Sequence, residues 1–140
     1  MCSGCLLYTS PSPSRRGRAL IVALDHGLKA GPLRGIEDPR RVVEAAARGG
    51  ADAVLATPPV IESVADLLRD LCAVARVDGG STSLGPNPID DRLLYTVEEA
   101  VRAGADAVVA FGYVGVEGES RHLAKLARVA HECRRLGVPM

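Results

Sequence analysis

GGADAVLA at residues 49–56 and AGADAVVA at residues 103–110 are near copies of each other. In each, glycine stops a helix, Ala-Asp follows, and a short apolar run enters a strand. Working outward, similar continuous apolar runs occur at residues 19–24 (ALIVAL) and 107–111, Ala73 to Val77 reads as a further strand, and Val138 opens another. Strand starts near 19, 52, 72, 105 and 138 recur mostly at about 30 residues, the size of a βα unit. Apolar strands without polar alternation are buried on both faces, as in a parallel sheet covered by helices. Internal repetition of this kind favours a barrel of repeated units over an open doubly wound sheet. No G-x-G-x-x-G follows the first run, which counts further against a dinucleotide fold.

The intervening segments read as helices. Asp38 caps one with Pro39 in its first position, and Val42, Val43, Ala46 and Ala47 form its apolar face. Pro58 and Pro59 open a second, with Val60, Val64, Leu67, Leu68 and Leu71 on one stripe. Thr96 and Glu99 make a capping box ahead of a third. Residues 120–136 form a fourth, with Leu123, Leu126, Ala127, Ala130 and Cys133 inward and Gly137 as its stop. The expected fold is α/β, a partial TIM (β/α)8 barrel of about four βα units plus the start of strand five. A complete barrel needs around 250 residues. Residues 18–140 are therefore expected to be the N-terminal half of one. Residues 1–17, rich in Ser, Pro and Arg, read as a disordered or non-native leader, and CLLYTSPSPS resembles translated sequencing-adapter read-through.

The chain has 140 residues, 17 basic and 17 acidic, so no net field steers it toward nucleic acid or an anionic membrane. No apolar run approaches the roughly 18 residues of a membrane span. Four cysteines, at 2, 5, 72 and 133, do not make a disulfide framework, and the reading is a reduced, cytoplasmic setting. Cys2-x-x-Cys5 lacks the second pair of a zinc knuckle. Fifteen arginines against Lys29 and Lys125 read as genome composition rather than a phosphate site.

In a parallel barrel the chemistry lies at the carboxyl ends of the strands. Four places qualify: Asp25-His26-Gly27, Thr57, Asp78 to Thr82, and Gly112 to Gly115. Asp25 is the most informative, because a carboxylate there is costly to bury and needs a partner. His26 is either a base or ligand, or a hydrogen-bond donor to the next loop. Asp78, with Gly79 and Gly80, either holds a ligand close to the backbone or permits a tight turn. Tyr113 either lines the site or packs. His122, Lys125 and His131, on the last helix, read as surface or interface groups.

The stretches ALIVALDHGLKAGPLRGIEDP (19–39), RVDGGSTSLG and VEEAVRAGADAVVAFGYVGVEGES together resemble the class I aldolases of the archaeal fructose-bisphosphate aldolase group. That group also holds deoxyribose-phosphate-aldolase-like proteins and the autoinducer thiolase. The resemblance implies a lysine Schiff base on strand six, no metal and no cofactor. It implies a phosphosugar or other keto or aldehyde substrate, and a homo-oligomeric full-length enzyme. It assigns Asp25 as catalytic, working with that lysine and a strand-five tyrosine. His26, Asp78, Gly79 and Tyr113 are the expected substrate-binding residues. Lys29 follows strand one and Lys125 is mid-helix, so neither stands where the Schiff-base lysine belongs. Two other readings remain open: a metal-dependent barrel hydrolase using Asp25, His26 and Asp78, and a non-catalytic binding module.

Overall fold

The computed structural model describes residues 18–140; the expected leader lies outside the described residues. Strand β1 (Ile21–Ala23) is followed by a helical turn, α1 (Gly27–Ala30), and by helix α2 (Pro39–Arg48). Asp38 caps α2 as its sequence suggests, accepting from the amides of Arg40 at 3.0 Å and Arg41 at 3.4 Å. Next come β2 (Ala53–Ala56), α3 (Pro58–Ser63), a 3-10 turn (Ala65–Leu67) and β3 (Cys72–Arg76). The single helix expected after Pro58 is thus broken at Val64 into two short pieces. A two-residue antiparallel ladder, β4 (Asp78–Gly79) with β5 (Arg92–Leu93), ties down the ends of the loop over 80–91. Then α4 (Val97–Arg102), capped by the Thr96–Glu99 box, leads to β6 (Ala107–Val109) and α5 (Glu119–Leu136).

The main sheet is parallel with order β1-β2-β3-β6. Each strand lies beside the next in chain order, with no reversal of direction across the sheet. A doubly wound sheet has such a switch point; consecutive βα units of a barrel do not. The expected start of strand five forms no strand, yet the Val108 amide donates to the Pro139 carbonyl at 2.9 Å, so the chain returns along the free edge of β6.

Period-two alternation divides the strand residues between two layers. One face packs on the helices: Ala56, Ala73, Ala75, Val77 and Val108 meet Ile61, Val97, Ala100, Val129 and Cys133. The opposite, inner face is built from Ala53, Leu55, Cys72, Val74, Ala107 and Val109. The inner row ends in chemistry. Ile21 and Ala23 lead to Asp25, Cys72 and Val74 to Arg76 and Asp78, and Ala107 and Val109 to Phe111 and Tyr113.

Helix α5 docks on a different stripe from the one its hydrophobicity suggests. His122, Val129 and Cys133 are buried, whereas Leu123 is 47% exposed and Ala127 and Ala130 face outward. The docked stripe has helical spacing, but its upper end is polar because it reaches the carboxylates at the strand ends. Cys133 is a free, buried thiol, and burial pushes its pKa up. Among the described residues no helix is long and apolar enough to cross a membrane.

Candidate active site

Arg76, the last residue of β3, is 3% exposed and organises the strand ends. A buried guanidinium needs partners, since an unpaired charge in the interior costs several kcal/mol, on the order of 3–5. Three carboxylates supply them. Nη1 donates to Asp25 Oδ2 at 2.7 Å, Nε to Asp78 Oδ1 at 3.2 Å and Nη2 to Asp91 Oδ2 at 3.0 Å. The Phe111 ring lies 4.2 Å from the guanidinium carbon, a cation–π contact over the same group.

Two ammonium groups balance the remaining charge. Lys125, from α5, donates to Asp78 Oδ2 at 2.5 Å and to the Asp91 carbonyl at 2.9 Å. Lys29, from α1, lies 3.2 Å from Asp91 Oδ2 and donates to Ser81 Oγ at 3.2 Å and the Pro88 carbonyl at 2.5 Å. Three cations thus face three carboxylates. Asp91 also accepts from the Tyr113 hydroxyl at 3.0 Å and from Ser81 Oγ. The Tyr113 ring stands edge-on to His122, with centroids 5.2 Å apart.

The pairing sets the ionisation. Burial alone works against a charged Arg76, but the hydrogen bonds and charges of Asp25 and Asp78 outweigh it and raise its pKa. Burial likewise pushes Asp91 up, yet hydrogen bonds from Ser81, Tyr113 and Lys29 hold its carboxyl below the usual carboxylate value. Arg76 and Asp91 are therefore both charged at neutral pH.

Of the residues expected from sequence, Asp25, Asp78 and Tyr113 come together in this cluster. Asp78 has a fully buried carboxylate whose second oxygen also accepts from the Phe111 amide at 2.9 Å. His26 stands apart: it is exposed at the head of α1, where its carbonyl accepts from Lys29 and Ala30. At Gly79 a Cβ would stand 3.0 Å from Leu94 Cδ1 and 3.4 Å from Leu28 Cδ1, so the glycine lets both leucines approach the strand end.

The surface assignment of His122 and Lys125 does not hold. His122 is 3% exposed and the Lys125 side chain 7%, because α5 turns this stripe toward Asp78 and Tyr113. His131 is exposed, as expected. The metal-site alternative also loses its donor set. Both Asp78 oxygens are engaged by donors, His26 lies elsewhere, and among the described residues no three His, Cys, Asp or Glu side chains group as ligands.

Arg76 and Asp91 are absent from the residues expected from sequence, Ser81 falls within the qualifying stretch Asp78 to Thr82 without a role of its own, and Lys29 enters there only as a lysine unsuited to the Schiff base. Arg76 was visible in principle, two residues before Asp78 on the same face of a strand. The scarcity of lysine was a second signal, since both lysines of an arginine-rich chain sit in the cluster. Asp91 had none, because a loop delivers it.

Residues 19–140 match the model of the DeoC/LacD family of aldolases. Among curated proteins, the 2-amino-3,7-dideoxy-D-threo-hept-6-ulosonate synthase of Halobacterium salinarum is 39% identical over 123 residues, 88% of this chain and 46% of that protein. An uncharacterized aldolase of Saccharolobus solfataricus is 36% identical over 134 residues, 89% of this chain and 49% of its own. Among solved structures, a Schiff-base-forming fructose-1,6-bisphosphate aldolase superposes with a TM-score of 0.80 at 28% identity, over 89% of this chain and 50% of that one. The chain spans about half the length of the relatives it matches. Its four parallel βα units are accordingly part of a (β/α)8 barrel.

Proposed function

Because the chain belongs to the DeoC/LacD aldolase family, we propose that it contributes the acid–base side of a class I aldolase site. The reaction makes or breaks a carbon–carbon bond in a phosphosugar or a related keto or aldehyde compound. One observation carries the proposal: a charge-balanced cluster at the carboxyl ends of parallel strands leaves Asp25 with a single described partner, Arg76, and one oxygen uncommitted. In this reading a lysine amine adds to the substrate carbonyl and loses water to give an iminium. The iminium then accepts the electron pair of the breaking bond. Asp25 takes the proton from the hydroxyl at the bond to be cleaved and returns a proton later in the cycle. Arg76 keeps that carboxylate aimed.

Neither lysine of the cluster suits the nucleophile's role. Lys29 Nζ is held by Ser81, Pro88 and Asp91, and Lys125 Nζ by Asp78 and the Asp91 carbonyl, so neither amine is free to reach a substrate carbonyl. In this reading the imine-forming lysine belongs to a strand other than the four described. The proposal includes a cytoplasmic setting and a homo-oligomeric whole enzyme. A graft tests it: residues 19–140 replace the matching segment of the Halobacterium salinarum relative, and borohydride is added with dihydroxyacetone phosphate. The expected result is one reduced adduct, on a lysine outside the graft, with measurable aldol turnover. A correctly folded graft that neither traps ketone nor turns over would refute the reading.

A further inference from the structure

The cluster leaves few hydrogen-bonding valences open, and those that remain define what a ligand must bring. Lys29 commits its three donors to Ser81 Oγ, Pro88 O and Asp91 Oδ2. Asp78 and Asp91 each accept on both oxygens, and both carboxylates are fully buried. The unused N–H groups of Arg76 belong to a side chain that is 3% exposed and covered by Phe111. His122 Nδ1 is buried without a partner and Lys125 keeps one N–H beyond its two bonds; beside them, among the carboxylates and the phenol, two acceptors stay open, the second oxygen of Asp25 and the oxygen of Tyr113.

Tyr113 is the more exposed of these two residues, and its geometry is fixed from two sides. Gly112 faces α5, where a Cβ would stand 2.4 Å from Leu126 Cδ1, so alternation sends the Tyr113 side chain to the inner face. There its hydroxyl meets Asp91 Oδ2 at 3.0 Å. An ionised carboxylate only accepts, so the phenol must donate to it. Toward a ligand the phenol oxygen is left with lone pairs alone.

We propose that Tyr113 is a specificity-determining residue that selects a hydrogen-bond donor, a hydroxyl on a polyol chain, and discriminates against a hydrogen or an ether at that carbon. The inference rests on the proposed aldolase reading only in taking a phosphorylated polyol as the ligand class. Tyr113 takes no part in forming the imine.

The test uses the full-length protein and D-erythritol 4-phosphate as the probe, with analogues in which each hydroxyl in turn is replaced by hydrogen or by O-methyl. Affinities are read by saturation-transfer NMR. At one carbon the hydroxyl form should bind about three- to tenfold more tightly than either analogue, the size of one neutral hydrogen bond. In Tyr113→Phe, which keeps the ring against His122 and Lys29, that preference should vanish. The O-methyl arm needs no variant: an ether binding as well as the hydroxyl would overturn the proposal. So would a preference that persists in Tyr113→Phe, or no preference in the wild type. The probe has no carbonyl and cannot form an imine. Selective binding of the probe, with no borohydride trapping of dihydroxyacetone phosphate in a separate sample, would defeat the aldolase reading and leave this inference standing; trapping of dihydroxyacetone phosphate without selectivity for the probe would do the reverse.

Discussion

Replacing Arg76 by Met should destabilise the protein by about 3–5 kcal/mol at neutral pH, the cost of leaving a buried charge without its partner. Methionine roughly conserves volume, so the loss is electrostatic rather than a cavity. In the wild type three cations meet three carboxylates; the variant leaves two lysines for Asp25, Asp78 and Asp91. Asp25 suffers most, because Arg76 is its only described ion-pair partner and its side chain is 9% exposed. Against a typical domain stability of about 5–15 kcal/mol, the loss is large. Its pH dependence identifies the cause. The wild-type Asp91 carboxyl is held below its ordinary value, so its stabilisation is complete above the unfolded-state pKa and is lost as pH falls through the depressed folded value. In the variant Asp91 loses the Arg76 donor and protonates more readily, so the difference from wild type should shrink as pH falls from 7.5 to 4. Urea denaturation followed by circular dichroism at both pH values measures it. A difference under about 1 kcal/mol at pH 7.5, below the range for a broken buried pair, or one independent of pH, would refute the reasoning.

Three further outcomes follow from the same geometry. Borohydride with dihydroxyacetone phosphate should leave Lys29 and Lys125 unmodified, and mass spectrometry finding a reduced adduct on either would show that its ammonium is not locked. Gly112→Ala should cost about 1–3 kcal/mol through overpacking against Leu126, and much of that should return in a double variant with Leu126→Ala, read by thermal melts. Thr96→Ala should cost about 1 kcal/mol by removing the α4 cap, with a loss near zero arguing that the box contributes nothing in context.

The parallel units were legible because β2 and β3, buried on both faces, and β1 and β6 beside them are written in mostly apolar residues, and because Asp38-Pro39 and Thr96-x-x-Glu99 act locally. Asp25, Asp78 and Tyr113 were legible for a related reason: strand-end positions follow once the strands are placed. What escaped depends on contacts between distant segments. The loop over 80–91 brings in Asp91 through partners on α1, β3 and the end of β6, and no local pattern encodes that path. The orientation of α5 escaped because hydrophobic periodicity weighs Leu123 above Lys125, whereas the folded helix leaves Leu123 exposed and turns Lys125 to Asp78. His26 follows Asp25 in sequence but is exposed at the head of α1, and no local pattern chooses between its two readings.

The most direct test of the whole account is proton exchange at the carbon next to the carbonyl of dihydroxyacetone phosphate, measured with and without Asp25→Asn in the grafted barrel. Borohydride trapping in the same samples reports whether the imine still forms. The account predicts normal trapping, with exchange and aldol cleavage both slowed by about a hundredfold or more, the scale of a lost acid–base group. Trapping and exchange both near wild-type levels would contradict it and leave Asp25 as no more than a partner for Arg76.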